Sequence, residues 1–424
     1  MKNLKITKEF EQLFDLIENK NRNIVLFGSA GTGKSTFLKW FKENTKKNIV
    51  CLSPTGIAAL NIGGMTIHSM FSFPFKPLTP QDIGPISKNK RNILKKADII
   101  IIDEISMLKP DILDAISWSL QINLKKKKIF GGKQIILIGD LFQLPPVVNS
   151  EMDFFYSKLY ESPYFFSSKS FLNYNFKIFN FNHIFRQSDK EFIEHLNKIR
   201  LMKHTKETID YFNKRNIKSN DKDILTITSF VKTADFINNQ KLKSIEGPSK
   251  KYIANISGKF NIDKMLTPQI LELKIGTKVM FTKNDKDGRF KNGTFGKVCY
   301  LGNNYITIEV EEKDYKEKIN ITKEKWISYE YIWDEKDNHF KEKEKGYFEQ
   351  FPLTLGYAIT IHKSQGQTYK KAKIDLGSGA FASGQLYVAL SRCTDYNNIF
   401  LAQKIKESDI IINEKILNWW NKNV

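Results

Sequence analysis

Short runs that are apolar almost throughout punctuate the first third of the chain: Ile24-Val-Leu-Phe27, Asn48-Ile-Val-Cys-Leu52, Asp98-Ile-Ile-Ile-Ile102 and Gln134-Ile-Ile-Leu-Ile138. A strand with one wet face alternates apolar and polar residues. These runs do not alternate, so each predicts a strand covered on both faces, as in a parallel sheet layered by helices. Segments of helical period separate them, and the fold class is α/β. Between the second and third runs, Ser69-Met-Phe-Ser-Phe-Pro-Phe-Lys-Pro77 leads into a polar stretch ending at Lys96. Its prolines and interleaved aromatics predict an irregular or hairpin insertion, not a helix. From residue 162 the rhythm resumes, with strands predicted at 176–181 and 224–230 and helices at 188–200 and 233–242. Residues 283–346 change to short strands with turn signals, a small β insertion whose charged tract 334–345 reads as a solvated loop. The α/β pattern then returns and runs to residue 424.

The first strand run opens into Gly28-Ser-Ala-Gly-Thr-Gly-Lys-Ser35, followed by a helical pattern. This is the spacing of a phosphate loop in its required strand–loop–helix context. Gly28, Ser29, Ala30, Gly31, Thr32 and Gly33, with Lys34, Ser35 and Thr36 opening the helix, would wrap phosphate oxygens in backbone N–H groups at a helix N-terminus. Lys34 would reach the β- and γ-phosphates, and Ser35 would ligate Mg²⁺. Asp103 and Glu104 end the third apolar run, where a second carboxylate for Mg²⁺ (Asp103) and a general base (Glu104) are needed. The bland alternative is that the pair merely leads into the next helix. Gln143, just past the fourth run, is a candidate γ-phosphate sensor. Arg186 and Arg392 are candidates to stabilise the transferring phosphoryl group, with surface ion pairing as the alternative for either one alone.

Composition adds a partner class. Lys and Arg number 67 against 46 Asp and Glu, a formal charge of +21, which favours a polyanion such as nucleic acid. Solvation of a Lys-rich surface is the competing explanation. Cys51, Cys299 and Cys393 lie far apart with no metal-ligand spacing, so neither a disulfide framework nor a zinc site is expected. The N-terminal residues lack the apolar core of a signal peptide and no apolar run reaches membrane-spanning length. A cytoplasmic protein without membrane association is expected.

The motifs resemble, in order, those of the Pif (petite integration frequency) family of superfamily-one helicases, which are 5′→3′ and related to the RecD type. Those carrying the resemblance are the phosphate loop, Ser53-Pro-Thr-Gly-Ile-Ala-Ala59, Thr66-Ile-His-Ser69, Asp103-Glu-Ile-Ser-Met107, Phe130-Gly-Gly132, Gly139-Asp-Leu-Phe-Gln-Leu-Pro-Pro146, Phe185-Arg-Gln187, Thr360-Ile-His-Lys-Ser-Gln-Gly366 and Tyr387-Val-Ala-Leu-Ser-Arg392. The resemblance implies ATP and Mg²⁺ as cofactors and two RecA-like domains with ATP between them. Domain 1A would take residues 1–69 and 97–161, a 1B wedge 70–96, domain 2A 162–282 and 347–424, and an SH3-like 2B domain 283–346. It also places Gly366 and Gln367 near the nucleotide, Gln12 as a reader of adenine, and Pro54, Thr55, Gly56, His68, Ser69, His362, Lys363 and Ser364 on DNA. Phe71, Phe73 and Phe75 would wedge the fork or stack a base, or else anchor a hairpin to the core. The implied activity is ATP-dependent unwinding in genome maintenance by a monomer acting on single-stranded DNA, forked or tailed duplex, G-quadruplex or RNA–DNA hybrid. An ATP-gated single-strand binding factor without unwinding is the alternative.

Overall fold

The protein is described from a computed structural model over residues 6–424, apart from 149, 222, 259, 261, 263, 264, 286, 291, 313, 314 and 335–338. The chain divides into two compact units. The first takes the chain up to Arg186 together with Tyr329–Glu344 and Asn413–Val424; the second takes Gln187–Ser328 and Lys345–Ile412.

The four apolar runs become strands of one parallel sheet in the first unit. Strands β1 (Asn23–Gly28), β2 (Ile49–Ser53), β3 (Met65–Thr66), β4 (Ile99–Ile102), β5 (Gln134–Gly139) and β6 (Phe176–Phe181) lie in the order β3-β2-β4-β5-β1-β6. Helices cover both faces. Helix Lys8–Glu18 is capped by the Thr7 side chain, which accepts from Phe10 N–H, and buries Phe10, Leu13, Leu16 and Ile17 along one stripe. These pack with Phe37, Phe41, Ile24 and Phe181, each such side chain contributing about 1.5–3 kcal/mol.

Three boundaries differ from the sequence expectation. The strand at 176–181 is expected in the second domain, but β6 pairs with β1 from Asn23↔Phe176 to Gly28↔Phe181 and so closes the first sheet. The last segment is expected there too. Helix Glu414–Asn423 instead sets Trp420 edge-on to Phe27 and Phe142, with ring centroids 5.2 and 5.1 Å apart, and stacks Trp419 on Phe166 at 5.0 Å. The 70–96 insertion is irregular in its middle but helical at both ends, in Ile67–Phe71 and Lys88–Lys96. Ile93 and Leu94 supply the buried side that makes the latter stretch fold.

The second unit repeats the parallel design with β7 (Thr226–Thr228), β8 (Ala358–Thr360), β9 (Ala372–Asp375) and β10 (Ile399–Leu401) in the order β8-β7-β9-β10. Its β insertion is a five-stranded antiparallel sheet of Tyr315–Thr322, Tyr305–Glu312, Phe295–Leu301, Lys278–Phe281 and Leu353–Leu355. Its last two strands, Lys278–Phe281 and Leu353–Leu355, lie beyond residues 283–346, because Val279, Phe281 and Leu353 share one core with Val298, Ile306, Ile308 and Ile319. Of the tract expected to be a loop, 335–338 fall outside the described residues, and the remainder from 339 lies in the strand His339–Gln350. A ladder is made by the backbone, so alternating Lys and Glu do not prevent it. Among the described residues no helix is long and apolar enough to cross a membrane.

Candidate functional site

In the first unit, β1 ends at Gly28 and helix Lys34–Asn44 begins directly after Gly33. The loop between them turns through Gly31 at φ 87° and Gly33 at φ 86°, left-handed values that favour glycine. Gly28 is equally constrained, since an added Cβ would lie 2.4 Å from Thr32 Oγ1. Thr32 ties the loop shut by donating from Oγ1 to Ser29 O at 2.9 Å. Lys34 Nζ donates to Gly28 O at 2.7 Å and Ser29 O at 3.0 Å, so the ammonium rests within the loop it is expected to serve. Ala30 and Thr32 are buried; Ser29, Gly31 and Thr36 are half-buried and Ser35 is exposed at the helix start.

Asp103 and Glu104 leave β4, two strands from β1. Asp103 is buried, its N–H donates to Leu52 O at 2.9 Å, and its Oδ1 accepts from Glu104 N–H at 2.9 Å. Burial pushes its carboxyl up to about 6, against the pull of the Glu104 N–H and of the Lys34 charge. Glu104 sits at φ 56°, ψ 47°, a left-handed conformation that costs a side chain of this kind about 1–2 kcal/mol. Strain of this sort clusters where a side chain must be aimed. Gly139, at the end of β5, lets this turn pass: an added Cβ would meet Ile105 Cγ1 at 2.8 Å and Ile105 N at 2.9 Å. Gln143 follows, buried, with its N–H donating to Asp140 O at 3.0 Å. Phe185 N–H donates to Gly31 O at 2.8 Å, which fixes half-buried Arg186 one residue from the loop. Gln12 is exposed on helix Lys8–Glu18.

The nucleic-acid candidates fall on the neighbouring strand ends. β2 and β3 are paired in parallel at the sheet edge, with Ser53 opposite Thr66. The half-buried Pro54, Thr55 and Gly56 therefore emerge beside the half-buried His68 and Ser69. Phe71, expected on DNA, is corrected: it is 3% exposed and stacked on buried Phe73 at 5.3 Å, because Ser72 turns the chain at φ 59° after a helix and the period-two alternation is not a strand. Phe75 is 84% exposed and lies flat on the His68 ring, centroids 4.7 Å apart and planes 12° apart.

In the second unit β8 runs into helix Ile361–Ser364, which leaves His362 and Lys363 exposed. Ser364, also expected on DNA, is fully buried, with its hydroxyl donating to Ile361 O at 2.8 Å. Arg392 is 1% exposed: Nε donates to Val388 O at 2.8 Å, Nη1 to Ser364 O at 3.2 Å and Gln367 O at 3.1 Å, and Nη2 to Ser391 Oγ at 2.8 Å. It thus holds the Thr360–Gln367 segment against the helix Gln385–Leu390. Gly366 is at φ 76° and Gln367 is buried.

A strand–loop–helix phosphate cradle, with carboxylates and an amide at adjacent strand ends and a second parallel unit on the same chain, defines a P-loop NTPase of two RecA-like domains. The profile of the PIF1-like helicase family matches residues 5–210. The ATP-dependent DNA helicase Pif1 of Bdellovibrio bacteriovorus is 31% identical over 99% of this chain and 92% of its own length. The crystal structure of Bacteroides sp Pif1 in complex with ADP-AlF4 is 36% identical, with a TM-score of 0.90 over 99% of this chain and 97% of that one. That of Bacteroides Pif1 bound to ssDNA covers the same shares at a TM-score of 0.73. The chain belongs to the PIF1-like helicase family.

Proposed function

We propose that this helicase hydrolyses ATP to move 5′→3′ along single-stranded DNA and so unwinds forked or tailed duplex. The observation that carries the reading is the alignment, on one sheet edge, of the Lys34 phosphate cradle and the Asp103–Glu104 turn with the polar ends of β2 and β3. Lys34 neutralises the β- and γ-phosphates, Glu104 takes the proton of the attacking water, and Gln143 distinguishes ATP from ADP. Arg186 and Arg392 stabilise charge on the transferring phosphoryl group. The Ser35 hydroxyl and the Asp103 carboxylate are hard oxygen donors of the kind Mg²⁺ takes, and a cation beside Asp103 offsets its desolvation. Mg²⁺ held by Ser35 and Asp103 would supply charge neutralisation of the phosphate oxygens.

The proposed track runs over Pro54, Thr55, Gly56, His68 and Ser69 in the first unit and over His362 and Lys363 in the second, residue types that suit phosphate contact and base stacking. Phe75 on His68 is the proposed wedge or base stack of the first unit. Adenine reading by Gln12, a monomeric state, action on G-quadruplex and RNA–DNA hybrid, and a role in genome maintenance belong to the same reading. The test is strand separation of a tailed duplex with ATP or with a non-hydrolysable analogue. Separation is expected with ATP alone; separation with the analogue contradicts a motor.

A further inference from the structure

The second sheet carries an aromatic feature that the sequence motifs do not include. Thr228, the last residue of β7, is in register with Thr360 of β8 and Asp375 of β9. The next residues, Ser229-Phe230, Ile361-His362-Lys363 and Leu376-Gly377, therefore emerge side by side at one strand-end edge. There Phe230 and Phe381, 38% and 56% exposed, stack with ring centroids 5.2 Å apart and planes 29° apart. Apolar rings left in water cost free energy, and this stacked pair offers a ligand a flat apolar face at the strand-end edge.

The pair is built to be rigid. Gly377, whose left-handed φ of +63° favours glycine, lies against the Phe230 ring, which an added Cβ would meet in van der Waals contact at 3.4 Å. The Phe381 and Ala382 N–H groups donate to Oε1 of buried Gln385 at 3.0 and 3.3 Å, and Ala380 N–H donates to Oδ1 of buried Asp409 at 3.1 Å. Preorganised aromatic faces flanked by cations suit one class of ligand, the base of a single strand, because every base has a π-face and its phosphates need positive charge. The cations are on the page: Lys363 is exposed on the adjoining strand end and Lys232 follows Phe230 by two residues, also exposed. The first unit has a counterpart in Phe75 stacked on His68, beside its own candidate DNA residues.

We propose that Phe230 and Phe381 form a base-stacking platform through which the second unit grips single-stranded DNA. The proposal rests on single-stranded DNA being the track. The test compares wild-type protein with F230A/F381A and F230Y/F381Y, binding a fluorescent oligo-dT, an abasic oligomer of equal length, and oligomers with 2-aminopurine at successive positions. The alanine pair is expected to weaken oligo-dT binding roughly five- to hundredfold. It should also lose the 2-aminopurine quenching at one stretch of positions and match wild type on abasic DNA. The tyrosine pair should restore the affinity and the quenching, with melting temperature unchanged throughout. Unchanged oligo-dT affinity and quenching in the alanine pair, or an equal loss on abasic DNA, overturns the platform while leaving the helicase reading in place. A wild-type protein that binds no oligo-dT overturns both.

Discussion

The C-terminal strand ends of the two parallel sheets share an architecture and differ in chemistry. In the first unit the inner strands end in a lysine cradle, a buried carboxylate, a strained Glu104 and an amide, the groups proposed above to act on phosphates. In the second they end in exposed His362 and Lys363 and a stacked pair of phenylalanines, while the nearby Arg392 guanidinium donates to the Val388, Ser364 and Gln367 carbonyls. On the proposed reading one fold serves nucleotide chemistry at one edge and a grip at the other, because strand ends position whatever side chains they carry.

The largest effect should come from breaking the first edge. K34A removes the cradle's charge, and ATP turnover should fall about a thousandfold or more while single-strand binding, measured by anisotropy, stays near wild type. E104Q keeps the shape of the strained turn but not its basicity, so turnover should fall about a hundredfold or more with nucleotide affinity retained, read by pre-steady-state hydrolysis.

Much of this edge was legible in sequence, since glycine spacing and uniformly apolar strands are local signals. Tertiary choices were not. Phe176-Lys-Ile-Phe-Asn-Phe181 reads as a strand, but nothing in it says which sheet it closes. Helix Glu414–Asn423 is amphipathic, and only the fold shows that Trp420 sits against Phe27, just before the cradle, and Phe142, just before Gln143. The alternation Phe71-Phe73-Phe75 left its faces undecided until Ser72 turned the chain. Phe230 and Phe381 are far apart in sequence and lie in no recognised motif, so no local signal joins them.

Smaller effects sharpen the comparison. R392A strips several buried carbonyls of their donor and should cost roughly 3 kcal/mol, a clear drop in melting temperature that R392K does not repair because Lys lacks the fork. R186A, one residue from the cradle, should lower turnover without that loss. W420A should cost about 2 kcal/mol and blunt turnover several-fold by loosening both Phe27 and Phe142, seen in denaturant melts and steady-state assays. F75A, at an exposed ring, should leave stability unchanged and weaken single-strand binding about fivefold.

The central claim is directional movement driven by the first edge along a strand held by both. It is tested most directly by offering wild-type protein duplexes with a single-stranded tail at either the 5′ or the 3′ end and following strand separation with ATP. Separation confined to the 5′-tailed duplex is predicted; separation confined to the 3′-tailed duplex would contradict the account.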